Sequence, residues 1–186
     1  ELALLPAPPI RQALCAFFPD EDGALQFVRF LRESLSPVAI EFFDHKALDL
    51  LRRAKEEGGA FAELPALADH FHTAVYCEFH AESEADTEEA LMACYEQMMQ
   101  LGVGEDDCWF ADGAHSLEVH KLFRHAVPES VNLLIDQRRK QHSGIRKLGT
   151  DMSVPDAHLE EILAIYRSDL DAQRLENVIF GHIGNN

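Results

Sequence analysis

An α+β domain is expected from three features of the 186-residue chain. Short runs rich in aromatic and β-branched residues alternate with amphipathic segments of about 12 to 18 residues, the strand and helix signals respectively. The first two runs and the next two each flank one such segment, so each half reads strand, helix, strand. The stretch joining the halves, residues 44–72, is long enough to carry a further helix. A parallel doubly wound layout shares this order, but the lengths favour the β-α-β-β-α-β arrangement: a ferredoxin-like antiparallel sheet with helices on one face, plus additional C-terminal helices.

The first strand is read at residues 14–18 (LCAFF). Ala24, Phe27, Val28, Leu31 and Leu35 then follow the i, i+3, i+4, i+7, i+11 spacing of one helix face, opened by Asp22 and closed at Ser36-Pro37. Residues 38–43 form the second strand, and Asp44 caps a helix carrying Ala47, Leu48 and Leu51 that stops at Gly58-Gly59. The third strand is 73–81. Ser83, with Asp86 three residues on, opens a helix striped by Leu91, Cys94, Tyr95, Met98 and Leu101 and stopped by Gly102. Residues 108–112 are the fourth strand. A helical segment from His115 to about Gln141 is expected to kink or split at Pro128, which cannot donate an i to i−4 bond. A last helix from about Pro155 presents Leu159, Ile162, Leu163, Tyr166 and Leu170 on one face, and 177–183 is a terminal strand.

Strand parity sorts the side chains of 73–81. Val75, Cys77 and Phe79 share one face and belong under the helices, while Tyr76, Glu78 and His80 share the other. In 38–43 one face is apolar (Val38, Ile40, Phe42) and the other mixes Ala39, Glu41 and Phe43. A face combining aromatics with carboxylates and a histidine is either plain solvent-facing surface or the surface that meets another domain or a ligand.

With 47% apolar and 26% charged residues the chain is neither disordered nor fibrous, and no apolar run reaches the roughly 18 residues of a membrane span. A formal charge of −17 repels phosphate backbones, so nucleic acid is excluded as a partner. The acid is uneven: nine carboxylates and no Lys or Arg lie between Ala81 and Asp107, and a basic cluster at Arg138, Arg139, Lys140, Arg146 and Lys147 follows. Both runs are read as solvated surface. Cys15, Cys77, Cys94 and Cys108 show neither a C-x-x-C pair nor a disulfide spacing, which fits a reducing cytoplasm. Residues 1–10 lack the form of a secretion signal, and the chain, starting at Glu1 and ending at Asn186 directly behind a strand, is read as a piece of something longer.

No G-x-G-x-x-G, P-loop, G-x-S-x-G or H-E-x-x-H is present. His115, His120 and His125 turn about 140° from one to the next on a helix and cannot form one site. His70 and His72 point the same way on an extended backbone and are a candidate metal pair. The informative residues close the chain: Phe180-Gly181-His182-Ile183-Gly184, read straight out of a strand. Two glycines around a histidine let the backbone approach a bulky ligand, and the imidazole can serve as base or metal ligand.

Here the sequence resembles the C-terminal, substrate-covering cap domain of FAD-linked oxidases of the D-lactate dehydrogenase and glycolate oxidase D-subunit type. The resemblance covers most of the chain: residues 38–44 (VAIEFFD), 75–84 (VYCEFHAESE), 122–126 (LFRHA), 149–155 (GTDMSVP) and 180–184 (FGHIG), the last two being the most specific. It implies a single domain, 1–186, whose partner is its own N-terminal FAD-binding domain, absent here, and whose small-molecule substrate is a 2-hydroxy acid or related alcohol oxidised by hydride transfer to flavin. It implies that Arg124 holds the substrate carboxylate, that His182 acts as catalytic base, and that Gly181, His182 and Gly184 lie against the cofactor. In some members the matching histidine is also first ligand of a divalent metal such as Zn²⁺, whose second histidine would fall beyond Asn186. Gly149 stands where many relatives carry a lysine, with Lys147 nearby but out of register. The alternative from another class is a stand-alone ferredoxin-like ligand-binding module without redox activity, dimerising through its open sheet face. On the first reading the isolated fragment is inactive.

Overall fold

Five strands made of strongly β-forming residues pair into one antiparallel sheet, described by a computed structural model for residues 8–111 and 113–184. Residues 1–7, Asp112 and residues 185–186 lie outside the described residues. They include most of the first ten residues, the end of the expected fourth strand and the two asparagines that close the chain. In chain order the elements are β1 (Ile10–Phe18), α1 (Glu21–Ser34), β2 (Ala39–Phe43), α2 (His45–Glu57), β3 (Thr73–Ala81), α3 (Glu84–Gln100), β4 (Cys108–Ala111), α4 (Ala114–Gln141), α5 (Leu159–Ala172) and β5 (Phe180–His182), with short 3₁₀ turns at Gly59–Phe61 and Asp156–His158. The strand order is β4-β1-β3-β2-β5, so the first four strands have the ferredoxin-like order and β5 adds an edge beside β2.

The period of two divides the sheet's side chains between two cores. Leu14, Ala16 and Phe18 of β1, Ile40 and Phe42 of β2, and Val75, Cys77 and Phe79 of β3 pack beneath α1 and α3, joined by Leu159 and Leu163 of α5. Ala13, Cys15, Phe17, Ala39, Phe43 and Tyr76 face the other way, against Ala47, Leu48 and Leu51 of α2 and Phe123, Ala126 and Val127 of α4. The helices of the two split halves share one face, as expected, and the connecting helix with the long α4 roofs the aromatic part of the other. The mixed face is therefore not open across its width, and a dimer pairing through a bare sheet would find much of it covered. The reason is visible in α2 and α4 themselves: each carries an apolar stripe that burial against Phe17, Phe43 and Tyr76 removes from water.

Helix ends follow local chemistry. Asp20 rather than Asp22 caps α1, accepting from Gly23 N at 2.8 Å, and Asp44 caps α2 as expected, accepting from Ala47 N at 2.8 Å. Ser83 precedes α3 but spends its hydroxyl on Asp86 Oδ2 at 2.8 Å instead of on the backbone. Of the expected kink or split at Pro128, the split does not occur: α4 runs through it, because Phe123, Ala126 and Val127 on one side and Val131 on the other all pack into the same core. Burying that stripe outweighs the ~3 kcal/mol a proline costs inside a helix. The terminal strand is shorter than expected, three residues against seven; Ile179 O instead accepts from Asp44 N and Ile183 N donates to Ile40 O, both at 2.9 Å. No described helix is long and apolar enough to cross a membrane.

Candidate functional site

The register of β5 on β2 creates the site. His182 lies opposite Glu41, Glu41 opposite Tyr76, Tyr76 opposite Cys15 and Cys15 opposite Trp109, a row crossing all five strands on the α2/α4 face. Two residues further along β3, Glu78 lies opposite Ala39 and Ala13 on that face. The polar residues of two strands and the terminal histidine are thus set side by side by backbone pairing alone.

Arg124 reaches down onto this row from α4, one turn before Pro128. Its Nε and Nη2 both donate to Glu41 Oε1, at 3.1 and 2.7 Å, and its Nη1 lies 3.8 Å from Glu78 Oε2. The guanidinium carbon stands 5.7 Å from the centroid of the Tyr76 ring, within cation-π range. Glu41 is buried, so its charge has been taken out of water and needs this partner. His182 Nδ1 is 3.6 Å from the same Glu41 Oε1. The structure therefore brings Arg124 and His182 together on one carboxylate oxygen, from α4 and from the terminal strand.

Glu78 is the second anion. Tyr76 donates its hydroxyl to Oε2 at 2.9 Å, and His80 meets Oε1 through Nε2 at 2.7 Å, which makes Nε2 the protonated nitrogen. Burial alone would push the Glu78 carboxyl up, but the hydrogen bonds from His80 and Tyr76 and the charges of His80 and Arg124 together hold it below the ordinary carboxylate range. Tyr76 is pushed far up, first by burial and then by the adjacent Glu78 carboxylate, so its hydroxyl stays a donor.

Gly181 and Gly184 flank the histidine for different reasons. Gly181 has φ of 140°, a conformation that L side chains rarely adopt, and no atom lies within 4 Å of where a Cβ would sit. The backbone is bare at the sheet edge. At Gly184 a Cβ would come to 3.1 Å from His182 Cε1 and 3.3 Å from Ile40, so a side chain there would press on the imidazole. Among the described residues no group of three or more His, Cys, Asp or Glu converges, so Zn²⁺ at His182 gains no support here.

The other histidines are used elsewhere. His70 bonds Asp107 Oδ1 at 2.8 Å, whereas His72 bonds Thr73 Oγ1 at 2.8 Å and stacks on His45 with ring centroids 4.8 Å apart, so they form no metal pair. His120 is buried between the carbonyls of Ser116 and Trp109, while His115 and His125 are exposed. Gly149 and Lys147 lie in an exposed segment, and Lys147 Nζ bonds Asn132 Oδ1 at 3.2 Å. The residues that sequence reasoning left without a role are Glu41, Tyr76, Glu78 and His80; parity had put the last three on one face, but nothing in the sequence shows β5 closing over β2. Residues 7–186 match a known family, described as FAD linked oxidases, C-terminal domain, and the chain belongs to it.

Proposed function

We propose that this domain covers the flavin held by an FAD-binding domain of the same full-length protein, and that the enzyme oxidises a 2-hydroxy acid or a related alcohol. FAD, when bound, supplies the acceptor for the substrate's α-hydrogen as hydride. Arg124 binds the substrate carboxylate with its planar, permanently charged fork. His182, beside it on the edge strand with its Nδ1 3.6 Å from Glu41 Oε1, accepts the hydroxyl proton. Gly181 and Gly184 keep the edge free of side chains where the ring would lie. Four cysteines without a disulfide agree with a reducing compartment such as the cytoplasm.

The single observation that carries this reading is the convergence of Arg124 and His182 on Glu41 Oε1, at 2.7 and 3.6 Å, on a sheet edge with bare backbone. The test is anaerobic: the full-length flavoprotein is mixed with D- and L-2-hydroxy acids and simple alcohols and its flavin absorbance followed. Rapid bleaching by at least one 2-hydroxy acid is expected. Bleaching by none of them contradicts the proposal.

A further inference from the structure

Arg124 is held side-on. The Nε–Nη2 side of its guanidinium is taken by a single oxygen of Glu41, while its Nη1 makes no hydrogen bond to a described residue and pairs with Glu78 Oε2 at 3.8 Å. A guanidinium has two edges that can each take a carboxylate in bidentate fashion. Here one edge is hydrogen-bonded by the protein, while the end-on edge, Nη1 with the second proton of Nη2, has only the longer 3.8 Å ion pair to Glu78 beside it.

We propose that Glu41 is the positioning residue of this site, gripping the Nε–Nη2 side of Arg124 so that the Nη1–Nη2 edge is presented to a substrate carboxylate. This rests on Arg124 being the group that binds that carboxylate. Three features of Glu41 suit it to the task. It sits on β2, a strand paired on both sides, so its backbone is fixed. It is 8% exposed, so little water competes for its oxygen. It lies across the sheet row from Tyr76, whose ring centroid is 5.7 Å from the guanidinium carbon, so ring and carboxylate both border the fork. Without Glu41 the arginine would keep its charge but lose its direction, and Glu78 would be the carboxylate left within reach.

The experiment is a double-mutant cycle in the full-length flavoprotein. Stopped-flow reduction by the hydroxy acid that bleaches the wild-type flavin fastest separates the apparent substrate dissociation constant from the limiting rate. Glu41→Gln removes the charge and Glu41→Asp shortens the reach; each is expected to raise the dissociation constant about 10- to 100-fold, with a much smaller change in the limiting rate. In the Arg124→Ala background neither should add a further increase, because no guanidinium is left to orient. A purely structural role would lower the melting temperature and FAD content and would persist undiminished in that background. A wild-type dissociation constant in both variants, or an undiminished penalty without Arg124, overturns the proposal, and Glu41→Asp carries the cycle if Glu41→Gln does not fold. If Arg124→Ala itself binds and reduces normally, the functional reading fails and this proposal with it, an outcome distinct from failure at Glu41 alone.

Discussion

At the scale of single residues, the site consists of two glutamates sharing one arginine, with a histidine at each flank. Arg124→Ala in the full-length enzyme is expected to weaken flavin reduction by ~2 to 5 kcal/mol in transition-state terms, the usual cost of leaving a desolvated carboxylate unpaired. Stopped-flow kinetics reads this directly, and unchanged kinetics removes Arg124 from the site. Glu78 makes a separate expectation about pH. Its folded-state value lies below the ordinary one, despite burial, because of the His80 and Tyr76 hydrogen bonds and the nearby charges. Its contribution to stability is therefore complete above the ordinary glutamate value of ~4.3 and lost as the pH falls below it through the depressed folded value. Wild type and Glu78→Gln should differ in urea midpoint at neutral pH and converge in acid; a difference that stays constant with pH counts against this account. Arg124 stood out in the sequence only through the family resemblance, since one arginine on a helix is commonplace, whereas His182 was already marked by the two glycines around it at a strand end. Glu41 and Glu78 were legible as members of a mixed strand face, but their meeting with Arg124 depends on how α4 crosses the sheet, which no local pattern encodes.

At the scale of elements, β1 to β4 and the helices of the two halves were readable because each carries a strong period of two or 3.6 and ends on a cap or a glycine. What was not readable came from tertiary packing. Pro128 failed to break α4 because the stripe on both sides of it is buried against α2 and the sheet. The terminal strand shrank to Phe180–His182 because a strand that short owes its register to its neighbour β2 and to the Ile183 N to Ile40 O bond that follows it. The docking of α5 hangs on Arg167, which pairs with Glu21 of α1 and stands 3.4 Å from Asp44, the fully buried cap of α2. Burial pushes the Asp44 carboxyl up, against the opposing effects of the Ala47 N–H and Arg167. Arg167→Ala leaves that carboxylate without its cation and should destabilise the domain by ~2 to 3 kcal/mol, less than for a fully buried pair because Arg167 is partly exposed. Urea unfolding measures this, and a loss below about 0.5 kcal/mol would mean α5 is held by Leu159 and Leu163 alone.

At the scale of the whole molecule, charge and chemistry lie on different sides. The carboxylate-rich α3 packs on one face of the sheet with α1, whereas the Arg124 cluster lies on the other, so the strongest negative field does not front the proposed substrate site. The cluster sits on a sheet face and edge rather than in an enclosed cavity among the described grooves, which are formed instead between α2 and α4 and between α1 and α3. An edge site of this kind offers a dinucleotide one side only, and on the proposed reading the FAD-binding domain supplies the rest. The isolated 186-residue chain is therefore expected to purify without flavin absorbance and to show no dehydrogenase turnover; stoichiometric FAD bound to it would contradict that. The central claim is that this edge faces a flavin carried by the rest of the protein, and a crystal structure of the full-length flavoprotein tests it most directly. The account expects the isoalloxazine ring against Gly181, with Arg124 and His182 on the substrate side of the ring and Glu41 behind them. A ring seated elsewhere, with the Arg124 cluster turned toward solvent, would contradict it.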